Sequence, residues 1–283
     1  MNDKTKGSLL IFTAAMLWST GGILMKLVPW NSLMINGARS LIAFFFICLL
    51  NRTVKIKFNR YIVLSALCIS FTTTLFAMAN KLTTAANAIV LQYTAPAFVL
   101  VISCIAAGKL PGLKQILVVL AAFGGTVLFF MDELDAGHVA GNVLAIASGL
   151  TYAGLFFFNS RPESSNDDSL RLACLISFGI FLVTVPFKDY GPVAVTPGIV
   201  AAVIALGVVQ IGLAYYTFGR GLKLINPVAA SLISLFEAIF NPVWVALFTG
   251  ELPGPFALLG AGVIILAVVY IIVFVQPVEN ERS

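Results

Sequence analysis

Apolar residues lie along the chain in ten blocks of about 18 to 23 residues, separated by polar connections of a few to about ten residues. An α-helix rises about 1.5 Å per residue, so about 20 apolar residues cross the roughly 30 Å hydrocarbon core of a bilayer. The pattern therefore predicts an all-α membrane protein with ten transmembrane helices. The predicted spans are residues 7–26, 32–50, 61–79, 85–107, 113–131, 139–158, 170–187, 198–218, 227–249 and 255–275.

The composition supports a lipid environment and narrows the function. The chain is 60% hydrophobic and 10% charged, so its net charge of +5 does not indicate a nucleic-acid-binding protein. The connections are too short for a soluble catalytic or receptor domain. The four cysteines lie in apolar blocks without disulfide or metal-ligand spacing, so we expect no cofactor and no metal. The only histidine, His138, lies in a connection, and we do not expect an enzyme.

The distribution of lysine and arginine predicts the orientation. If the N-terminus is cytoplasmic, the cytoplasmic face receives thirteen of these residues and the other face receives four. We therefore expect a multi-pass protein of the inner (cytoplasmic) membrane with both termini in the cytoplasm.

The two halves of the chain resemble each other at an offset of 142 residues. From Phe76 to Gly112, ten of 37 aligned positions are identical, and the run Gly-x-Leu-Pro-Gly at 108–112 recurs at 250–254. Each half holds five predicted spans, and because five is odd the second half enters the membrane upside down. The sequence thus predicts two inverted five-helix repeats, residues 1–134 and 135–283, around a central cavity. Inverted repeats are typical of secondary transporters that work by alternating access.

Glu237 is the clearest candidate for a functional charge within the membrane. It lies eleven residues into the ninth predicted span, about 16 Å deep and close to the bilayer centre. A charge at this depth costs about 2.5 to 3.5 kcal/mol on insertion scales. We interpret Glu237 as a coupling site that binds protons or another cation. The alternative is a structural glutamate that is hydrogen-bonded to a neighbouring helix.

Lys26 and Arg39 occur near the predicted outer ends of the first two spans. Both side chains are long enough to reach the membrane interface, which is the simpler interpretation. The alternative is that they contact an anionic substrate group or pair with Glu237.

Polar and aromatic residues also occur at depths where they could line a cavity. Each of them could bond to a neighbouring helix instead of contacting a substrate, and Tyr215 could also belong to an interfacial belt. The candidate substrate-binding residues are Trp18, Ser19, Thr20, Asn87, Gln92, Tyr93, Tyr152, Gln210, Tyr215 and Asn241.

Prolines and small residues give two further expectations. Pro96 and Pro242 lie inside spans four and nine, where each removes a backbone hydrogen bond and predicts a kink. The two prolines are four positions out of register between the halves, so the predicted symmetry is imperfect. The runs Ala121-x-x-x-Gly125 and Gly260-x-Gly262 predict close helix packing.

The chain also resembles the EamA-like branch of the drug/metabolite transporter superfamily. The segment from Trp18 to Lys26 resembles that family's Trp-Gly…Lys segment, with Ser19 in place of the usual glycine. The segment Arg39-Ser-Leu-Ile-Ala43 resembles its Arg-Phe-x-x-Ala opening of the second helix.

The same resemblance extends to the second half. The segment from Leu235-Phe236-Glu237 to Gly250-Glu251 resembles the family's Leu-Glu-Pro…Leu-Gly-Glu segment, with Ala238 where the family usually has proline. The resemblance implies two five-helix bundles, alternating access and, often, export of amino acids or other small metabolites.

We therefore expect a secondary transporter that moves a small polar metabolite, such as an amino acid, with protons as a candidate coupling ion. The expected partners are this small-molecule substrate and the lipid bilayer. The alternatives are a membrane channel and an exporter of hydrophobic drug-like compounds. The sequence leaves import or export open, and it is compatible with a monomer or a homodimer.

Overall fold

The computed structural model describes residues 2–134, 137–187, 193–249 and 254–274. Over these residues ten helical spans cross between two faces, as the hydropathy pattern predicts. Eight helices are long and apolar enough to cross a membrane, and two shorter apolar helices complete the set. The spans are span 1, Asp3–Ser19 and Gly21–Lys26; span 2, Ser32–Asn51; span 3, Arg60–Leu82; span 4, Ala85–Gln92 and Ala95–Ala107; span 5, Leu113–Phe129; span 6, Val139–Asn159; span 7, Asn166–Thr184; span 8, Pro197–Ala205, a π-helix at Leu206–Leu213, and Ala214–Leu222; span 9, Pro227–Ile233 and Phe236–Thr249; and span 10, Pro255–Phe274.

Short polar side chains begin several of these helices. The side-chain oxygens of Asn31, Asn59 and Asn226 each accept a backbone N–H from the first turn of spans 2, 3 and 9. Such N-caps satisfy amide groups that have no partner inside the helix. The polar residues in the connections therefore fix where each span begins.

Successive spans run in opposite directions. We call the face where span 1 begins the N-terminal face, and the other the opposite face. At the N-terminal face, the Asn59 side chain donates to the backbone oxygen of Glu163, linking the connection after span 2 to the one after span 6. At the opposite face, the Trp30 indole donates to the backbone oxygen of Ala194, linking the connections after spans 1 and 7. This alternation gives the two halves opposite orientations, as predicted.

Packing between the halves is symmetric under exchange of span n with span n + 5. Span 3 packs against span 6 as span 8 packs against span 1, and span 3 contacts span 7 as span 8 contacts span 2. Three contacts between the halves are unchanged by this exchange, namely those of span 2 with span 7, span 4 with span 9, and span 5 with span 10. The predicted boundary between residues 134 and 135 is untested, since residue 135 lies outside the described residues.

Spans 4 and 9 are broken at corresponding positions. The helix of span 4 stops at Gln92 and resumes at Ala95, and that of span 9 stops at Ile233 and resumes at Phe236. At the repeat offset of 142, these breaks coincide within one residue. The breaks thus preserve the symmetry that the two prolines do not show.

Proline explains only one of these breaks. Pro96 lies in the first turn of the second half of span 4, where its ring excludes a regular helix through Gln92. Pro242 instead lies within the helix Phe236–Thr249, so the predicted kink at that residue is not where span 9 breaks. The side chain of Ser234, at the break itself, donates to the backbone oxygen of Ala230. Such bonds to the preceding turn commonly bend membrane helices.

A network of polar groups closes the N-terminal face. Asp168 accepts hydrogen bonds from the guanidinium of Arg171 and from the backbone N–H of Lys57. Arg171 also donates to the backbone oxygen of Thr53. The network therefore holds the connection after span 2 against the start of span 7.

Candidate functional site

The two broken helices meet at Tyr93 and Glu237. Tyr93 ends the first half of span 4, and Glu237 lies in the first turn of the second half of span 9. The buried hydroxyl of Tyr93 lies within hydrogen-bonding range of the Glu237 carboxylate, which is partly exposed. The structure thus brings together two of the predicted site residues at the one place where both spans lose helical continuity.

Aromatic rings enclose the space beside Glu237. The ring centroid of Trp18 lies 5.0 Å from that of Tyr215 and 6.3 Å from that of Tyr152, both in edge-to-face arrangements. The hydroxyls of Tyr152 and Ser234 lie within hydrogen-bonding range of each other, and Tyr152 and Tyr215 both lie within electrostatic range of Glu237. Tyr215 lies at this depth in the helix bundle and is buried, so the structure does not favour the interfacial belt.

One polar group in this aromatic cluster has no partner. The indole Nε1–H of Trp18 is buried and makes no hydrogen bond among the described residues. A buried donor without a partner typically costs about 1 to 3 kcal/mol. Such an atom is a candidate contact for a ligand that brings an acceptor.

Arg39 and Glu237 both lie within electrostatic range of Tyr215 but are not electrostatic partners of each other. The Arg39 side chain is 6% exposed, so it is enclosed by protein rather than exposed at the membrane interface. The Asn36 side-chain oxygen accepts from its Nε and Nη2 at 3.2 and 2.9 Å, and the Gln210 side-chain oxygen accepts from its Nη1 at 3.0 Å. Both Arg39 and Glu237 interact electrostatically with Tyr215. The predicted pairing of Arg39 with Glu237 does not occur in this conformation.

The remaining predicted residues bond to neighbouring helices or to their own. Gln92 donates to Ser148 of span 6 at 2.7 Å, and Thr20 donates to the backbone of its own span. Asn87 donates to Thr83 and to Asn142 near the opposite face, away from Glu237. The side chains of Lys26 and Asn241 lie outside the described part of the chain.

A small cavity lies between the halves, and a larger groove lies at the N-terminal face. A cavity of about 10 Å³ lies beside Tyr215, lined by hydroxyl and apolar side chains of spans 2, 3, 7 and 8. This volume is about that of one water site. A larger groove of about 480 Å³ opens at the N-terminal face between spans 1, 9 and 10, from Lys4 to Phe12. The ring of Phe12 packs 5.0 Å from that of Phe236, next to Glu237.

Some residues of the site were not predicted. Asn36 and Ser148 hold Arg39 and Gln92 in place, and Trp244 donates to Ser19. The sequence signal for Asn36 was its position, one helical turn before Arg39. Within the described residues, no group of three or more histidine, cysteine or acidic side chains could hold a metal ion.

Comparison with known proteins places this arrangement among transporters. A family model described as the "EamA-like transporter family" matches residues 5–131 and 139–273, one match in each half. A relative from Bacillus subtilis (strain 168), named "Uncharacterized transporter YwfM", is 24% identical over 279 residues, covering 93% of each chain.

The fold itself also occurs in a solved structure. A chain described as "Crystal structure of protein" superposes with a TM-score of 0.82 at 17% identity. The similarity covers 93% of this chain and 95% of that one. At this identity the match shows a shared fold over almost the whole length.

Proposed function

The chain belongs to the EamA-like transporter family, and we propose that it carries a small polar metabolite, such as an amino acid, by alternating access coupled to protons. It is a multi-pass membrane transporter rather than an enzyme. The observation that carries the proposal is the contact of Tyr93 with Glu237 where spans 4 and 9 are both broken. Discontinuous helices that meet at midplane depth are typical of transport sites.

The packing symmetry supports alternating access. Because each half contacts the other through corresponding spans, exchange of the two halves' conformations would give a second packing of similar quality. One packing would open the site to one face of the membrane, and the other packing to the opposite face. In the cell, we propose the cytoplasmic membrane as the location and the cytoplasm as the side of the N-terminal face.

Glu237 supports proton coupling. It is the only carboxylate in the interior of a described span, since Asp3, Asp167 and Asp168 lie in the first turns of theirs. Binding a proton removes its charge, and Tyr93 is placed to respond because its hydroxyl lies close to the carboxylate. Loss of the charge would weaken this contact between the two broken helices.

The groove at the N-terminal face supports a second candidate, an exporter of hydrophobic drug-like compounds. Its walls are mostly apolar, and its inner end at Phe12 adjoins Phe236. An amphipathic compound could therefore enter from the lipid. The polar contacts around Arg39 and Glu237 favour a polar cargo instead.

Flux into liposomes tests both candidates. We expect purified protein to accumulate one or more of the twenty standard amino acids when a proton gradient is imposed. Glu237→Gln should abolish this accumulation while retaining part of the exchange of labelled for unlabelled amino acid. Glu163→Gln, at an exposed carboxylate of the N-terminal face, is the matched control and should behave like wild type.

The possible outcomes separate the alternatives. Full proton-driven accumulation by Glu237→Gln would overturn the coupling role. Flux that only equilibrates concentrations would indicate a channel, because a channel cannot drive uphill movement. Transport of lipophilic cations without amino acid flux would favour the drug exporter.

A further inference from the structure

Arg39 is a buried charge that has no counter-charge among the described residues. It lies eight residues into span 2, in the part of the bundle between spans 2 and 8. Among the described residues no carboxylate lies within 4.0 Å of it, and its electrostatic partners are Tyr215 and Cys174. Charged side chains inside membranes usually pair with an opposite charge or mark a substrate pathway. An isolated guanidinium is therefore a functional candidate.

The hydrogen bonds of Arg39 leave part of its binding capacity unused. A guanidinium has five N–H groups in a planar fork. Asn36 and Gln210 accept from three of them, and both acceptors are neutral amide oxygens. Two N–H groups have no partner among the described residues. Neutral groups thus hold the guanidinium in a fixed orientation and do not offset its positive charge.

Gln210 occupies a position from which it can be displaced. It lies in the π-helix Leu206–Leu213, a form that is rare and is frequent at functional sites. Return of this segment to a regular α-helix would change the direction of the Gln210 side chain and free Nη1 of Arg39. A charged oxygen in its place would bind Arg39 more strongly than the amide, since charge-assisted bonds are roughly twice as strong as neutral ones.

The surroundings of Arg39 add a second donor and an opposite charge. The unpaired indole N–H of Trp18 belongs to the ring that packs on Tyr215, next to Arg39. Glu237 lies within electrostatic range of the same tyrosine, yet Arg39 and Glu237 are not electrostatic partners of each other. The site therefore has donors at one end and an acceptor at the other.

We infer that Arg39 binds the carboxylate of the cargo, with the Trp18 indole as an additional donor, while Glu237 faces its cationic end. This inference rests on the proposed transport function and assigns a polarity to the site. A zwitterionic amino acid fits both ends. An amine without a carboxylate leaves Arg39 without a counter-charge, and a carboxylic acid without an amine leaves Glu237 without one.

Matched probes test this polarity. The probes are the twenty standard amino acids, each with its decarboxylated amine and its deaminated acid, and binding is measured as the shift in melting temperature of the purified protein. For the amino acids that bind, we expect wild type to prefer the amino acid over its amine by roughly 10- to 100-fold, as for hydrogen bonds to charged groups. Arg39→Gln should remove this preference, and Arg39→Lys should retain part of it.

Asn36→Asp distinguishes cargo binding from a structural role. The side chain at 36 already contacts the Arg39 fork at 2.9 and 3.2 Å, so a carboxylate there supplies an internal counter-charge. If Arg39 only stabilises the fold, this variant should be at least as stable and should bind the same probes. If Arg39 binds the cargo carboxylate, the variant should remain folded and lose the preference for carboxylates.

The result that overturns the inference is equal binding of amino acids and amines by wild type, or an unchanged preference in both Arg39→Gln and Asn36→Asp. Binding of the deaminated acids as strongly as the amino acids would also overturn the assignment of Glu237 to the cationic end. Failure of the transport proposal is distinguishable from failure of this inference. In that case carboxylate-dependent binding would occur without proton-driven accumulation in liposomes.

Discussion

The indole nitrogen of Trp244 donates a hydrogen bond to the hydroxyl of Ser19 at 2.8 Å. This bond joins the second half of span 9, beyond its break, to span 1, where the helix is interrupted at Thr20. Ser19 uses its own proton to donate to the backbone oxygen of Met16. The contact therefore links two discontinuous helices through a hydroxyl that both donates and accepts a hydrogen bond.

We expect Trp244→Phe to slow transport and to lower stability slightly. The substitution keeps an aromatic ring and removes the donor, and interhelical hydrogen bonds in membranes contribute about 0.6 kcal/mol on average. Trp30→Phe is the control, because the Trp30 indole makes a bond of the same length to Ala194 at the opposite face. Thermal unfolding and initial rates of amino acid exchange measure the two effects. Equal loss of rate in both variants would contradict a specific role of the Trp244–Ser19 bond in transport.

Asp168 and Asp167 are adjacent carboxylates with very different burial. Asp168 pairs with Arg171 where both side chains are almost completely buried, whereas Asp167 lies 3.6 Å from Arg220, whose side chain is 43% exposed. Removing one partner of a buried pair costs about 3 to 5 kcal/mol, and an exposed pair contributes about 0 to 1 kcal/mol. Asp168→Asn should therefore lower the melting temperature strongly, and Asp167→Asn only slightly. Similar melting temperatures for the two variants would show that the network at the N-terminal face does not hold the structure together.

Gly260 and Gly262 give a matched test of helix packing. A Cβ at Gly260 would lie 2.4 Å from the backbone nitrogen of Phe129 and 2.5 Å from the backbone oxygen of Gly125, while a Cβ at Gly262 meets nothing within 4 Å. Gly260→Ala should separate spans 5 and 10 and destabilise the protein. Gly262→Ala should be neutral or slightly stabilising, because alanine favours helix by about 1 kcal/mol over glycine. Unfolding in detergent measures both, and a tolerated Gly260→Ala would contradict the close packing.

Gln92 and Ser148 share one hydrogen bond between spans 4 and 6. Gln92→Leu removes this bond, and Ser148→Ala removes it together with the bond from Ser148 to the backbone oxygen of Thr72. A purely structural role therefore predicts that Ser148→Ala loses at least as much stability and transport as Gln92→Leu. If Gln92 also contacts cargo, Gln92→Leu should lower amino acid exchange well beyond the effect of Ser148→Ala. Exchange rates per amount of folded protein distinguish the structural role of Gln92 from a cargo contact.

The ten spans and their inversion follow from the sequence because the bilayer imposes one length and one polarity on every crossing. The depth of Glu237 was predictable for the same reason. Its contact with Tyr93 was not, because that contact depends on how two distant helices cross. The break in span 9 was also beyond prediction, since it lies at Ser234 rather than at a proline.

The interpretation of Arg39 shows where a local rule fails. Side-chain length alone favours a reach to the interface, but Asn36 and the π-helical Gln210 hold the guanidinium inside. A π-helix shifts the side chains that follow it, so the pairing of Gln210 with Arg39 has no signal in a 3.6-residue period. Of the small-residue runs, Gly260 packs closely as predicted, while Gly262 is not in contact with another helix.

The interleaved packing of the halves constrains how the protein is made. Spans 1 to 5 leave the ribosome before spans 6 to 10, yet the hydroxyl of Thr72 and the amide of Gln92 find their partners on span 6. Until residues 139–159 enter the bilayer, the Gln92 amide lacks this partner, and the Thr72 hydroxyl bonds only to the backbone oxygen of Cys68 in its own span. Assembly is therefore completed by the last spans inserted, and a nascent chain stopped after the fifth crossing cannot reach its mature packing alone.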